Sequence, residues 1–140
     1  MTVKKMNRTR KKLPFRKSVL ESHLPFSNIL PKIKNILLES TNINIIQKVY
    51  LFGSYAYGEP DSESDLDICI IIDNNEPRNY TYINVARVLC HKYNVSNYDL
   101  LVYREKEFYH GQNLESIENT IMEKGILLYE RKQESNRNAF

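Results

Sequence analysis

Between residues 66 and 72 the chain is apolar at six of seven positions, and only Asp67 interrupts the run. A stretch that dense in β-branched residues predicts a strand covered on both faces, at the centre of its sheet. Residues 47–52 alternate more loosely and are rich in β-formers, so they predict a first strand. Ahead of them, Ile29, Ile33, Ile36 and Leu37 recur at helical spacing. They predict a helix that opens between Ser27 and Pro31, where proline is tolerated in the first turn, and ends at Thr41-Asn42. Residues 54–58 fit one or two helical turns, and residues 59–64, which include Pro60, read as a polar loop.

After the dense run, the polar stretch 73–77 closes the strand. Tyr82, Val85, Ala86, Leu89 and Tyr93 then mark one face of a helix over residues 79–92. Residues 98–103 predict a third strand. Residues 114–123 predict a polar helix stopped near Gly125, and residues 126–129 a short last strand. Strands alternating with helices in this order predict an α/β fold, a small mixed β-sheet with helices packed against it.

The chain has 140 residues, enough to bury one core, and no glycine-serine linker divides it. No apolar run approaches the length of a membrane span, and the basic start lacks the apolar centre of a secretion signal. A cytoplasmic protein with no membrane partner is therefore expected. Cys69 and Cys90 show no metal-binding spacing and are expected to be reduced, buried, small apolar residues. Charge is unevenly spread. Residues 1–20 hold eight cations and no acid, while residues 21–140 hold twelve Lys and Arg against seventeen Asp and Glu. The division expected is a basic extension over residues 1–24, a folded domain over 25–130 and a polar tail over 131–140. The extension could dock on nucleic acid, but it lacks the interleaved aromatics that stack on bases, so nucleic acid is the less favoured partner.

The candidate chemistry lies in the middle of the chain. Gly53-Ser54 makes a turn directly after the first strand, and ten residues later Asp65-Leu66-Asp67 heads the central one. Successive strand side chains point to opposite faces, so Asp65 and Asp67 share a face about 7 Å apart at ~3.3 Å rise per residue. Paired carboxylates suit a hard cation such as Mg²⁺, and a turn rich in free N–H groups suits a phosphate. Two such ions held close together need a further acid. Asp99 is the candidate, at the start of the predicted third strand in Tyr98-Asp99-Leu100, where a charge does nothing for packing. If that strand neighbours the central one, Asp99 faces Asp65 and Asp67 across the ladder. Asp73 is a weaker alternative at the far strand end. His23, His91 and His110 are scattered and expected at the surface or in caps.

With these residues the chain resembles the minimal nucleotidyltransferases of the DNA polymerase beta superfamily, most of all the MNT-type antitoxins that pair with HEPN-domain toxins. The family pattern, Gly-Ser, ten residues, Asp-x-Asp, falls on Gly53, Ser54, Asp65 and Asp67 without a gap, and the later family aspartate falls on Asp99. The resemblance covers roughly residues 28–130. It implies a polymerase-beta-like fold, with ATP as substrate and two Mg²⁺ ions on Asp65 and Asp67, one of them shared with Asp99. It also implies phosphate binding at Gly53 and Ser54, and transfer of AMP to a tyrosine of a partner HEPN-type toxin. Relatives often carry a basic residue in the helix after Gly-Ser, where this chain has Tyr55-Ala56-Tyr57-Gly58. Two other readings stand beside this one. The first is nucleotidyl transfer to a small molecule such as an aminoglycoside. The second is a non-catalytic module that neutralises a partner by binding alone.

Overall fold

The computed structural model describes Phe26, residues 28–110 and residues 115–132. The predicted extension 1–24, His23, the start of the helix predicted from residue 114, and the tail beyond residue 132 lie outside the described residues.

The sheet has four strands in the order β3-β2-β1-β4: β1 Ile46–Phe52, β2 Leu66–Ile72, β3 Tyr98–Arg104 and β4 Ile126–Glu130. β1 runs antiparallel to both β2 and β4, whereas β2 and β3 are parallel. The sheet is therefore mixed, and β2 is internal, as its unbroken apolar run requires. A parallel pair needs a crossover. Helix α3 (Arg78–His91) is that crossover, entered at Pro77.

Each face of the sheet carries its own core. On the first face Val49 and Leu51 of β1, Leu66, Ile68 and Ile70 of β2, and Leu128 of β4 pack under α1 (Ile33–Ser40) and α3. Ile46 joins this face although it lies three residues before Val49, because a register shift between Ile46 and Lys48 absorbs the extra residue. On the second face Tyr50, Phe52, Cys69, Ile71 and Leu127 pack under Phe108 of α4 (Glu105–His110) and Ile121 of α5 (Ile117–Lys124). Helix α5 is capped at its start, where the Ser116 hydroxyl accepts from the Asn119 N–H at 3.0 Å. At its end the Gly125 N–H donates to the Ile121 carbonyl at 2.8 Å.

Two expectations are corrected, and two elements are added. Cys90 is exposed, because it sits on the outer side of α3; Cys69 alone is buried. The buried stripe of α3 is Thr81, Val85 and Leu89, and Tyr82 is 40% exposed. The two stripes differ by one position, and the smaller Thr81 is the one that fits against the sheet. Helix α4 and the 3₁₀ turn Ile43–Ile45 were not expected at all. His91 and His110 are exposed, as foreseen.

Candidate active site

β1 ends at Phe52, which pairs with Asp67 at the start of β2. Gly53 turns the chain away with φ +74° and ψ −157°, a conformation that L side chains rarely adopt. The four-residue helix α2 (Ser54–Tyr57) follows at once, and the Ala56 and Tyr57 N–H groups both donate to the Gly53 carbonyl at 3.0 Å. Tyr55 anchors this turn in the first-face core. It is 1% exposed, and its ring lies 5.8 Å from that of Phe26, tilted by 50°. Tyr57, by contrast, is exposed.

The missing side chain of Gly53 leaves room for a carboxylate. A Cβ at that position would stand 1.9 Å from Asp67 Oδ2 and 2.7 Å from Asp67 Cγ. Asp67 shares the second face of the sheet with Cys69 and Ile71, two and four residues on. Its cross-strand neighbour in the parallel ladder is Asp99, on the same face as Leu101 and Tyr103. Asp65 lies one residue before β2 rather than inside it. The strand-face argument therefore holds for Asp67 and Asp99 and does not extend to Asp65. Asp65 still acts on Asp67 through its charge. Burial first, then Asp99, then Asp65 push the Asp67 carboxyl up to about 6. Asp65 and Asp99 are exposed, and Asp67 is partly buried.

The oxygen chemistry of these three groups fits a hard cation such as Mg²⁺. All the influences acting on Asp67 disfavour its charge, and a cation would relieve them. Among the described residues, however, no three Asp, Glu, His or Cys side chains are drawn close enough to form a finished cage.

Asp73 belongs to a different arrangement. It accepts from Arg131 Nη2 and Gln47 Nε2 at 3.1 and 2.9 Å, at the opposite end of β2. Two clefts lie elsewhere. One of about 580 Å³ runs between Pro31 and Leu128, and another of about 480 Å³ lies between Lys48 and Arg131. With Asp65 and Asp99 exposed, the carboxylates stand at the surface. Sequence reasoning missed Phe26 as a support of the turn; the apolar Leu24-Pro25-Phe26 ahead of the first helix was the available signal.

No helix among the described residues is long and apolar enough to cross a membrane. The chain is 40% identical over 62 residues to a candidate protein adenylyltransferase of Methanocaldococcus jannaschii. That match takes in 44% of this chain and spans 59% of the length of the relative. Among solved structures, a candidate nucleotidyltransferase from Sulfolobus solfataricus superposes with a TM-score of 0.53 at 22% identity, covering 85% of this chain and 93% of its own. The toxin–antitoxin pair MntA-HpeT, solved as a mutant with two aspartates two positions apart changed to glutamate, gives a TM-score of 0.50 at 20% identity. It covers 79% of this chain and 80% of that one. These two likenesses speak for the fold. The family pattern for "Polymerase beta, Nucleotidyltransferase" matches residues 31–134, about three quarters of the chain, and this protein therefore belongs to that nucleotidyltransferase family.

Proposed function

We propose that this protein transfers AMP from ATP to a hydroxyl of a partner protein, a tyrosine of a HEPN-type toxin, and so acts as its antitoxin in the cytoplasm. The observation that carries the reading is the in-register pairing of Asp67 with Asp99 beside the space that Gly53 leaves open. The toxin–antitoxin structural neighbour supports a toxin as acceptor. The curated relative supports a protein rather than a small molecule. The domain responsible spans residues 25–130, between the basic extension and the polar tail.

Asp65, Asp67 and Asp99 are the residues that would hold Mg²⁺, two ions in all. The bound metal would neutralise phosphate charge and lower the barrier to attack at phosphorus. The residues of the chain do the rest. Gly53 lets backbone N–H groups and the Ser54 hydroxyl approach the β- and γ-phosphates and hold them still. Asp99, exposed at the rim, takes the proton of the acceptor hydroxyl. The acceptor oxygen then bonds to the α-phosphorus, the bond from that phosphorus to the bridging oxygen breaks, and pyrophosphate leaves with the electron pair. Fixing the two reactants in line is where most of the rate would come from.

Incubating the purified chain with labelled ATP, Mg²⁺ and the protein encoded beside it should label that protein, and replacing Asp65 and Asp67 by Asn should abolish the label. Absence of transfer from every nucleoside triphosphate would reject the reading. Retained toxin neutralisation by the double variant would favour binding alone.

A further inference from the structure

The two edges of the sheet are not alike. β4 has five residues, its register against β1 shifts between Val49 and Tyr50, and the charged run Glu130-Arg131-Lys132 closes it. A short strand, a bulge and charges are the usual means of keeping another chain from pairing with an edge. β3 is built differently. Its seven residues pair with β2 in unbroken register, from Leu66 opposite Tyr98 to Ile72 opposite Arg104, and include no proline or lysine. Its two charges, Asp99 and Arg104, stand near its ends, and Arg104 is engaged with Glu107 and with the Glu76 carbonyl. The flank of β3 is also open. Leu101, Val102 and Tyr103 are half-buried, whereas their partners on β2, Cys69, Ile70 and Ile71, are fully covered.

The backbone of β3 presents a fixed set of groups on that flank. The Asn97 carbonyl accepts from the Leu66 N–H at 3.0 Å. Backbone direction alternates along a strand, so Asp99, Leu101 and Tyr103 aim their N–H and C=O groups at β2, and Tyr98, Leu100 and Val102 aim theirs outward. Among the described residues no backbone hydrogen bond is made on that outer side. An antiparallel strand added there would meet Asp99 in a non-hydrogen-bonded pair, Cα atoms about 4.5 Å apart and side chains on one face. Asp67 is the neighbour of Asp99 on the other side, so the added residue would extend that row. Charge selects what can approach. Asp65, Asp67 and Asp99 stand at this end, and from Gly53 to Pro77 the sequence holds seven acids and no Lys, Arg or His. A basic segment complements them.

We propose that the acceptor protein docks by adding an extended, basic segment antiparallel to the free edge of β3, which sets the acceptor tyrosine beside Asp99. The proposal rests on the transferase reading above and adds to it the surface that chooses the acceptor. Main-chain bonds to Tyr98, Leu100 and Val102 give affinity, and the pairing register gives position. A slip of one residue turns the tyrosine to the opposite face of the sheet, away from Asp67 and Asp99. The register therefore decides which hydroxyl of the segment is modified.

Amide hydrogen exchange of the unaltered full-length chain tests this, read residue by residue with and without the protein encoded beside it, in the presence of Mg²⁺ and a non-hydrolysable ATP analogue. The Leu100 and Val102 amides should slow about tenfold or more when that protein is added, while those of Leu101 and Tyr103, already bonded to β2, should change little. Val102→Pro removes one outward N–H at an edge, where proline is tolerated, and should weaken binding of that protein about tenfold. The exchange measurement needs no variant and decides the matter if the proline variant does not fold. Transfer of label to that protein with no slowing at Leu100 and Val102 would overturn the proposal and leave the transferase reading standing. Equal slowing along the whole strand would overturn it too, since the fold and not the free edge would then be responding. Slowing at Leu100 and Val102 in the chain alone, rising with its concentration, would assign the edge to a second copy instead. A chain that labels that protein from no nucleoside triphosphate would reject the transferase reading, and this proposal with it.

Discussion

Gly53 and Asp67 occupy one another's space: a Cβ on Gly53 would lie 1.9 Å from Oδ2 of Asp67, and Gly53 itself sits at φ +74°. Two independent constraints therefore fall on one position, one from the backbone and one from the neighbouring carboxylate. Gly53→Ala should violate both. Strain in the backbone of this kind costs about 1–3 kcal/mol, and the displaced Asp67 carboxylate should cost transfer activity on the order of 10²-fold. Thermal unfolding and a transfer assay on the same preparation check the two parts. A variant with native stability and full activity would mean that the turn adapts and the contact has no role.

Asp67 should set the pH dependence of stability in the metal-free protein. Its carboxyl is raised from 3.8 to about 6 by burial, then Asp99, then Asp65. Because the folded form holds the proton more tightly than the unfolded form, stability falls as pH rises from about 4 through about 6. Asp67→Asn removes the charge at nearly constant shape, so its stability should be flatter over that range. At pH 7 it should exceed the unaltered protein by about 1–3 kcal/mol, since each tenfold gain in proton affinity on folding is worth about 1.4 kcal/mol. Adding Mg²⁺ should reverse the order by stabilising only the chain that keeps its carboxylate. Denaturant titrations at pH 4, 5.5 and 7, with and without the ion, test this.

β2 was legible to the residue because Leu66–Ile72 is apolar on both faces, and turn residues bound it. The register of Asp99 followed from that strand once β3 was its neighbour, since a charge at the head of an apolar strand has few other uses. Helix α4 was not legible. Its six residues, Glu105–His110, bury only Phe108, and one apolar residue has no periodicity to read. The error at Tyr82 had a related cause: a large aromatic and a small threonine at adjacent positions each fit a helical stripe, and only the space over the sheet decides between them. Asp65 shares a face with Asp67 only if the extended backbone is carried one residue ahead of the strand, and β2 begins at Leu66.

At the other end of β2, Asp73 should behave in the opposite sense to Asp67. Burial acts to raise its carboxyl, but hydrogen bonds from Arg131 and Gln47 outweigh it and hold the group below its ordinary value of 3.8. Its contribution is present above pH 4 and lost as pH falls further. The Arg131–Asp73 side chains are 39% and 37% exposed, so solvent and salt screen the pair. Arg131→Ala should therefore cost under about 1 kcal/mol at pH 7, and less still in 1 M salt. A larger loss would show that joining the end of β4 to the end of β2 matters more than the ion pair itself.

The two cysteines should separate cleanly by reactivity. Burial, and then the charge of Glu118, push the Cys69 thiol well above its ordinary value, so it stays protonated and inaccessible under the second-face core. Cys90 is exposed on α3. Thiolate is the reactive form, and only an accessible thiol can supply it. At pH 8 the native chain should therefore take up one equivalent of a thiol reagent and the denatured chain two. Glu118 also accepts a hydrogen bond from the Tyr103 hydroxyl at 2.5 Å, closing the second face above Cys69. Tyr103→Phe removes that bond at a cost of about 1 kcal/mol. It should also raise the rate at which Cys69 is labelled through transient opening, while Cys90 labelling stays unchanged. Rapid labelling of both thiols in the unaltered chain would show that α4 and α5 do not seal this face in solution.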